Sequence, residues 1–354
     1  MINAFIRSDT FENKGNWLRK HIAWFSHRYN AHYGIAQLSP QSPRYQVARD
    51  SLAELQRAAS LGPTPGTPAT QSQAQPKIIW MYWDAPLESA PEVVRLSVSS
   101  WQALNPDYEV RLLSDDNIQQ VLGFDFLAAF ELSTVRLNPA IKADVLRLYL
   151  LSRYGGVWAD STTFCLTPLS QWLPVALGEL GFFTFRQSKA PARPMEVWFI
   201  AAVQGREIVT HTLGLFLEHL FLPRRSAIFI SNRAKNHAKL GVGRQHPELL
   251  YADFVRRAER FGFMPYFSFS YYLNDSLREY LTSADIERFM SLENRYVGNG
   301  EEFEAFQEAL VSKQTYKRDY QQRPVFLKRK DYLLSLLADT KEADARVSVS
   351  SVSA

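Results

Sequence analysis

Apolar and polar residues follow two regular patterns along the middle of the chain, and these patterns predict strands and helices in turn. Continuous apolar runs, such as KIIWMYW at 77–83, indicate strands that are buried on both faces. Apolar residues at steps of three and four indicate helices that pack one face on a core. The predicted strands are 77–83, 108–113, 157–159 and 181–186, and the predicted helices span about 91–104, 116–131 and 138–154. This alternation predicts an α/β fold with a mostly parallel sheet flanked by helices.

Both ends of the chain show mainly helical patterns. Helices at 16–33 and 44–60 would make a helical N-terminal extension over 1–60, joined to the main domain by a Pro/Gly/Ser/Thr/Gln-rich linker at 61–76. We expect the main domain to span 77–338 and to end in a helical C-terminal part, before a flexible tail at 339–354. The predicted C-terminal helices lie near 206–222, 247–261 and 300–312.

The predicted helix at 16–33 is amphipathic. It has an aromatic face of Trp17, Phe25 and Tyr29, with cationic residues beside that face. Such a helix can lie on an anionic membrane surface, but the same pattern more often packs on a neighbouring domain, and we favour packing.

Composition narrows the classes of protein. With 46% hydrophobic and 21% charged residues, the 354-residue chain is typical of a globular protein. No apolar run is long enough to span a membrane and no signal peptide is recognisable, so a cytoplasmic protein is expected. The single cysteine, Cys165, excludes an internal disulfide and a cysteine-based zinc site. The net charge of +4 comes from residues 1–75 alone, which argues against nucleic-acid binding.

The segment 138–162 contains the most informative local signals. Asn138 and Pro139 are typical of a helix start, and the pair Gly155-Gly156 is typical of a helix end. Asp144 and Arg147 share a helix face, as a local salt bridge or as a binding pair. Asp160 follows a short apolar strand. Ligands of α/β sheets bind at the carboxyl ends of strands, so Asp160 is placed for chemistry, although an aspartate can also cap a turn there.

These segments, taken in order, resemble the capsular polysaccharide synthesis glycosyltransferases, which are related to DXD-containing sugar transferases. The resemblance is carried by KIIWMYW, by IKADVLRLYLLSRYGGVWADST and by the spacing between them, and covers about residues 77–170. It implies a GT-A type fold with a Rossmann-like sheet, and a hexosyltransferase-like enzyme. Such an enzyme moves a sugar from a nucleotide-sugar donor to a saccharide or lipid-linked glycan acceptor in surface polysaccharide synthesis. It implies retention of configuration and action in the cytoplasm, with peripheral contact at the inner face of the membrane.

The resemblance also implies residue roles. The end of the first strand would line the base and ribose pocket, through Trp80, Tyr82 and Trp83. Asp144 would face sugar hydroxyls and Arg147 the sugar or phosphates, while Asp160 would lie beside the ribose and a divalent metal ion. Glu196, Asn274 and Asp275 are candidate acceptor contacts.

The motif departs from DXD because Thr162 stands where the second aspartate is expected. A hydroxyl is a weaker ligand than a carboxylate for Mn²⁺ or Mg²⁺, so Asp160 is the tentative metal ligand and the metal is a tentative cofactor. Without a metal, other cations must neutralise the leaving nucleoside diphosphate. The candidates from the sequence are Arg224, Arg225, Arg233, Lys235 and Arg244.

Two other functions remain open. The chain could be a non-catalytic scaffold or binding subunit, or a transferase that glycosylates protein. A nicotinamide-dependent oxidoreductase is disfavoured because no G-x-G-x-x-G follows the first strand. An aromatic cluster at 266–272 is either a sugar-stacking platform or part of the core.

Overall fold

The computed structural model of the protein describes residues 15–33, 35, 38–61, 76–186, 195–232, 240, 251–291 and 302–352. The predicted linker at 61–76 lies almost wholly outside the described residues, as do Arg233, Lys235 and Arg244. The described strands are β1 (Ile78–Tyr82), β2 (Glu109–Leu113), β3 (Gly156–Ala159), β4 (Thr163–Cys165), β5 (Phe182–Arg186), β6 (Met195–Ala202), β7 (Phe229–Ser231), β8 (Phe263–Pro265) and β9 (Val311–Lys313).

The described helices include three before the first strand: α1 (Asn16–His21), α2 (Ala23–Tyr33) and α3 (Pro43–Ala59). Those between β1 and β7 are α4 (Glu92–Leu104), α5 (Ile118–Leu122), α6 (Pro139–Tyr154), α7 (Leu173–Leu177) and α8 (Glu207–Leu220). The C-terminal part adds α9 (Tyr251–Arg260), α10 (Ser268–Tyr280), α11 (Ser283–Ser291), α12 (Phe303–Gln307), α13 (Arg318–Gln321) and α14 (Pro324–Val352).

A five-stranded sheet forms the centre of the fold, in the order β2-β1-β3-β6-β5. β1 runs parallel to β2 and β3, whereas β6 is antiparallel to both of its neighbours. Four of the five strands therefore point in one direction. This confirms the predicted α/β class with a mostly parallel sheet flanked by helices.

β6 is a strand that the sequence analysis did not predict, since its last predicted strand was 181–186 and a helical part was expected after it. Its residues Phe199 and Ile200 are 0% and 1% exposed, because the strand lies between β3 and β5 and is covered on both faces. A strand in that position is apolar throughout and lacks the alternation that identifies an exposed strand.

Two predicted helices are shorter than expected. The one at 116–131 is divided by Gly123, whose φ of 78° ends α5, and continues as a 3-10 helix over Phe126–Leu132. The one at 300–312 is wrong at its C-terminal end, where the chain forms β9 instead. β9 pairs antiparallel with β4, and this edge supplies the hydrogen-bond partners that favour a strand over another helical turn.

The N-terminal helices pack on the rest of the molecule. Ile22 is extended and divides the predicted helix 16–33 into α1 and α2. Tyr29 is fully buried and packs with Ala227, as the favoured packing interpretation predicts. Leu55 and Ala58 of α3 belong to the same apolar cluster as the sheet.

The C-terminal helix α14 is not among the predicted helices. We expected a flexible tail from residue 339, but α14 continues to Val352. Ala, Glu, Lys and Arg in the segment following residue 339 are strong helix formers, so they extend a helix whose first turns already pack on the core. Among the described residues, no helix is long and apolar enough to cross a membrane.

Candidate functional site

Local sequence signals build the segment that carries Asp160. The Asn138 side chain accepts from the Ile141 amide at 3.0 Å and starts α6, as predicted. Gly155 and Gly156, with φ of 68° and 100°, end the helix and turn the chain into β3. A Cβ on Gly156 would lie 2.7 Å from the carbonyl oxygen of Ile78, so only glycine allows β3 to approach β1 this closely.

Asp160 follows β3 at the carboxyl end of the parallel strands, and its carboxylate is held in place by several donors. Its Oδ1 accepts from Trp158 Nε1 at 2.8 Å and from Arg147 Nη2 at 3.1 Å. The alternative role, a side-chain turn cap, is not seen. The backbone oxygen makes the turn instead, accepting from the amide and hydroxyl of Thr163. The carboxylate therefore points toward the helix and the neighbouring strand.

Arg147 joins the two aspartates. Its Nη2 lies 3.2 Å from Asp144 Oδ1, so the local salt bridge is present, and its Nη1 donates to the carbonyl of Val197 on β6. The guanidinium also packs over the rings of Trp158 and Phe269, with Cζ 5.0 and 5.3 Å from the ring centroids. Its side chain is only 4% exposed, so Arg147 orients the carboxylates and does not extend outward to phosphates.

The two aspartates differ in their affinity for protons. Burial, reinforced by the negative charge of Asp160, raises the pKa of Asp144 from 3.8 to about 7 despite Arg147. Burial also disfavours ionisation of Asp160, but Lys313 and Arg147 outweigh it and hold the pKa of Asp160 below its ordinary value. The site thus holds one carboxylate whose pKa is lowered, which favours its ionised form, and one whose pKa is raised to about 7.

Lys313 is a site residue that the sequence did not reveal. Its Nζ donates to Asp160 Oδ2 at 2.6 Å and to Thr162 Oγ1 at 2.7 Å. It lies at the end of β9, paired in register with Thr163 on β4. The sequence signal was a lysine directly after a segment predicted to be helical, at 300–312.

The end of β1 contributes two of its three predicted aromatic residues to this edge of the sheet. Trp80 is 1% exposed and donates to the Gly155 carbonyl at 2.9 Å, so it is a core residue and not a surface for a base. The Tyr82 hydroxyl donates to Asp115 Oδ1 at 2.5 Å, and the Tyr82 carbonyl accepts from Ser161 at 2.7 Å. The half-buried Trp83 packs edge-on against Tyr316, which is 58% exposed.

A cavity of about 470 Å³ lies beside this aromatic pair. Tyr316 lines the cavity and also contacts Trp83, which connects the cavity to the end of β1. Its other lining residues are Ser89, Pro91, Lys317 and Gln321. None of the carboxylates of Asp144 and Asp160 lines the cavity.

The aromatic cluster at 266–272 has two parts. Burial and the nearby charges of Asp144 and Asp160 raise the pKa of Tyr266, which places Tyr266 next to the carboxylates. Phe267 is half-buried, and the remaining members are core residues at 2% exposure or less: Phe269, Tyr271 and Tyr272.

The predicted acceptor residues are not gathered at one place. Asp275 is buried and accepts from the Ala252 amide at 2.7 Å, so its carboxylate holds the start of α9. Asn274, half-buried, precedes it on α10. Glu196, also half-buried, precedes Val197 on β6, and Val197 is the carbonyl partner of Arg147. Of these three, Glu196 is the one that the sheet places next to the site.

Of the cations predicted to face a diphosphate, Arg224 is engaged by other partners. Arg224 pairs with Glu259 at 2.7 Å and donates to the His219 carbonyl at 2.8 Å. The Arg225 carbonyl accepts from Ser26, which joins its loop to α2. Lys313 and Arg147 are the cations that act on Asp160.

The side chains at the D-x-T motif do not fit a divalent metal ion. Oxygen ligands surround Mg²⁺ and Mn²⁺ in proteins, yet an ammonium group already binds Asp160 Oδ2 and Thr162 Oγ1. Over the part of the chain that the structure describes, no group of three or more His, Cys, Asp or Glu side chains is arranged to hold a metal.

Comparison with known proteins finds a family model similar to the segment that carries Asp144, Arg147 and Asp160. Residues 60–228 match the family described as "Capsular polysaccharide synthesis protein", which confirms the resemblance carried by the first strand and the GGVWADST segment. HOC1 of Saccharomyces cerevisiae, named as a glycosyltransferase, is 31% identical over 158 residues, or 40% of this chain and 39% of that protein.

Two further relatives are named as mannosyltransferases. The initiation-specific alpha-1,6-mannosyltransferase of S. cerevisiae is 31% identical over 27% of this chain and 22% of its own length. Inositol phosphoceramide mannosyltransferase 3 of Schizosaccharomyces pombe is 31% identical over 27% of each protein. The chain thus spans well under half the length of these relatives. A solved structure titled "PaToxG Glycosyltransferase" aligns at 17% identity over 70% of this chain and 93% of that one, with a TM-score of 0.28, and we draw nothing from it.

Proposed function

Taking the match to the capsular polysaccharide synthesis family as the premise, we propose that the protein is a glycosyltransferase with a GT-A type fold. It would move a hexosyl group from a nucleotide-sugar donor to a saccharide or lipid-linked glycan of a surface polysaccharide. The observation that carries the proposal is the position of Asp160. The carboxylate lies at the carboxyl end of β3, ionised and held by Arg147 and Trp158, and 24% of its side chain is exposed.

We propose that the donor lies across the ends of β1 and β3. The base and ribose would bind at Trp83 and Tyr316, where an exposed aromatic face adjoins the cavity. The sugar would lie toward Asp144 and Asp160, whose oxygens can accept hydrogen bonds from its hydroxyls.

The proposed reaction retains configuration at the anomeric carbon. The bond between C1 and the phosphate oxygen breaks, and its electron pair stays on the leaving nucleoside diphosphate. The acceptor oxygen bonds to C1, and its proton passes to the leaving phosphate oxygen. We assign no residue as a general base because the leaving group performs that role.

We further propose that the protein acts at the cytoplasmic face of a membrane. Trp17 of α1, Trp24 of α2 and Ile22 between them are 62%, 45% and 37% exposed, and the cation Lys20 of α1 is exposed as well. Aromatic residues beside cations suit the interface of an anionic bilayer.

Incubation with a panel of nucleotide sugars, followed by chromatography of the nucleoside diphosphate released, tests the activity. We expect release from at least one donor, and loss of release in Asp160→Asn. If no nucleotide sugar releases its nucleoside diphosphate, the proposal is contradicted. If Asp160→Asn still releases the nucleoside diphosphate, the non-catalytic alternative is favoured for this site. If the product is a glycosylated polypeptide, the alternative of a protein-glycosylating transferase is favoured.

A further inference from the structure

We propose that Lys313 takes the place of the divalent metal ion and binds the donor's diphosphate directly. This inference rests on the proposed function. One ammonium group contacts both ends of the D-x-T motif, with Nζ 2.6 Å from Asp160 Oδ2 and 2.7 Å from Thr162 Oγ1. These are the two side chains that would hold the metal in a DXD site.

A metal ion and this ammonium group cannot share the two oxygens. Mg²⁺ binds oxygen at about 2.1 Å and needs an almost complete octahedron of oxygen ligands. The Nζ atom occupies the space between the two oxygens, and its positive charge repels a second cation. The other oxygen of Asp160 is already bonded to Arg147 and Trp158, so it offers no substitute position.

Lys313 retains a donor for a ligand. An ammonium group has three N–H donors, and the contacts to Asp160 and Thr162 use two of them. The lysine side chain is 20% exposed, against 4% for Arg147. Of the two cations acting on Asp160, Lys313 is therefore the one that a phosphate oxygen can reach.

The backbone around Lys313 holds the ammonium group in place before any donor binds. Val311 and Ser312 are fully buried, and the Gln314 amide donates to the Thr162 carbonyl at 2.7 Å. The Gln314 side chain donates to Ser312 Oγ at 2.8 Å and accepts from Arg329. A cation fixed in this way stabilises charge on the leaving group without reorganising.

Binding of UDP and GDP in the presence of EDTA, measured by isothermal titration calorimetry, tests the phosphate contact. We expect the wild type to bind at least one of them without metal, and Lys313→Met to bind it about tenfold or more weakly, as loss of a charge-assisted hydrogen bond predicts. Lys313→Arg keeps the charge and should retain most of the affinity. Lys77→Met is the matched control. Lys77 also pairs with an aspartate, Asp107, at 2.6 Å, but it lies far along the chain from the D-x-T motif. The Lys77→Met variant should therefore bind the nucleotide as the wild type does.

Binding of Mn²⁺ to the protein without nucleotide, followed by electron paramagnetic resonance, tests the exclusion of metal. We expect no Mn²⁺ signal that depends on Asp160 in the wild type, and a new one in Lys313→Glu, where a carboxylate replaces the ammonium group. Mn²⁺ binding by the wild type that disappears in Asp160→Asn would overturn the inference, as would equal diphosphate affinity in Lys313→Met and the wild type. If the protein binds and hydrolyses no donor, the proposed function fails, and the Mn²⁺ result still decides whether Lys313 displaces metal.

Discussion

Arg147 and Asp160 lie thirteen positions apart, on opposite sides of the Gly155-Gly156 turn, and their side chains meet at 3.1 Å. The contact joins the middle of α6 to the residue that follows β3. It fixes the carboxylate relative to the helix, and its geometry depends on the intervening glycines and on the ionised state of both partners.

Asp160→Asn should remove transfer activity while the fold persists. The amide keeps the shape but loses the charge that pairs with Arg147 and Lys313, so turnover should fall by about 100-fold or more and the free energy of unfolding by about 2–4 kcal/mol. Donor turnover and urea unfolding measure the two effects. Asp107→Asn, which disrupts only the exposed pair with Lys77, should change neither by much.

Gly156→Ala should destabilise the protein more than Gly123→Ala. Both glycines have positive φ, which costs an alanine about 1 kcal/mol. A Cβ at Gly156 also meets the Ile78 carbonyl at 2.7 Å, whereas none of the described atoms lies within 4 Å of one at Gly123. We expect an additional loss of about 2 kcal/mol at Gly156, measured by chemical unfolding. If both variants lose the same free energy of unfolding, β3 can shift away from β1 to make room for the Cβ atom.

Asp144 should titrate near neutral pH. Its pKa is about 7 in the folded protein and near 3.8 when exposed, so the folded state binds the proton more tightly. The free energy of unfolding should therefore fall as pH rises from about 4 to about 7, and this contribution should be constant above that. The lowered pKa of Asp160 acts in the opposite sense, but only at more acidic pH. Asp144→Asn should flatten the slope between pH 4 and 7, and carboxyl NMR of the wild type should show a midpoint near 7.

Trp83→Ala should weaken binding of nucleoside diphosphates. Stacking of a base on an aromatic ring contributes about 1–3 kcal/mol, so the dissociation constant should rise by about tenfold or more. Calorimetry with UDP and GDP measures the effect. Tyr280→Ala, at an exposed aromatic residue that packs on His211, serves as the control. If Trp83→Ala binds UDP and GDP as tightly as the wild type does, the base does not bind at the end of β1.

The double variant Trp17→Ala, Trp24→Ala should bind anionic vesicles less well than the wild type. Both rings are exposed, so they can enter the interface of the bilayer and stabilise the bound protein. We expect the variant's partition coefficient between vesicles and water to be about tenfold or more lower than that of the wild type. Sedimentation with vesicles containing phosphatidylserine measures it, and binding should weaken as salt increases. Wild-type binding that is equal for neutral and anionic vesicles would contradict the electrostatic part of this prediction.

The sequence predicted the parts of the site that depend on neighbours in the chain. The Asn138 cap, the Gly155-Gly156 turn and the strand before Asp160 are encoded by signals a few residues apart, and all three are confirmed. Strand 77–83 was also predicted, but which of its aromatic side chains is buried depends on the packing around β1. Trp80 was therefore misassigned to the base pocket.

Lys313 could not be predicted in this way. Its partner Asp160 is 153 positions away, and the pairing of β9 with β4 depends on an edge that forms only when the core is assembled. The local pattern at 300–312 favoured a helix, and tertiary context overrode it. Contacts of this kind leave no periodic signal in a single sequence.

The pairing of β9 with β4 also sets an order of events during synthesis. At about 5–20 residues per second, a ribosome needs roughly 8–30 seconds to add the 153 positions that separate Asp160 from Lys313. Until then the nascent chain carries the carboxylate without its lysine. The contact between Asp160 and Lys313 can thus form only late in translation, after the central sheet has been synthesised.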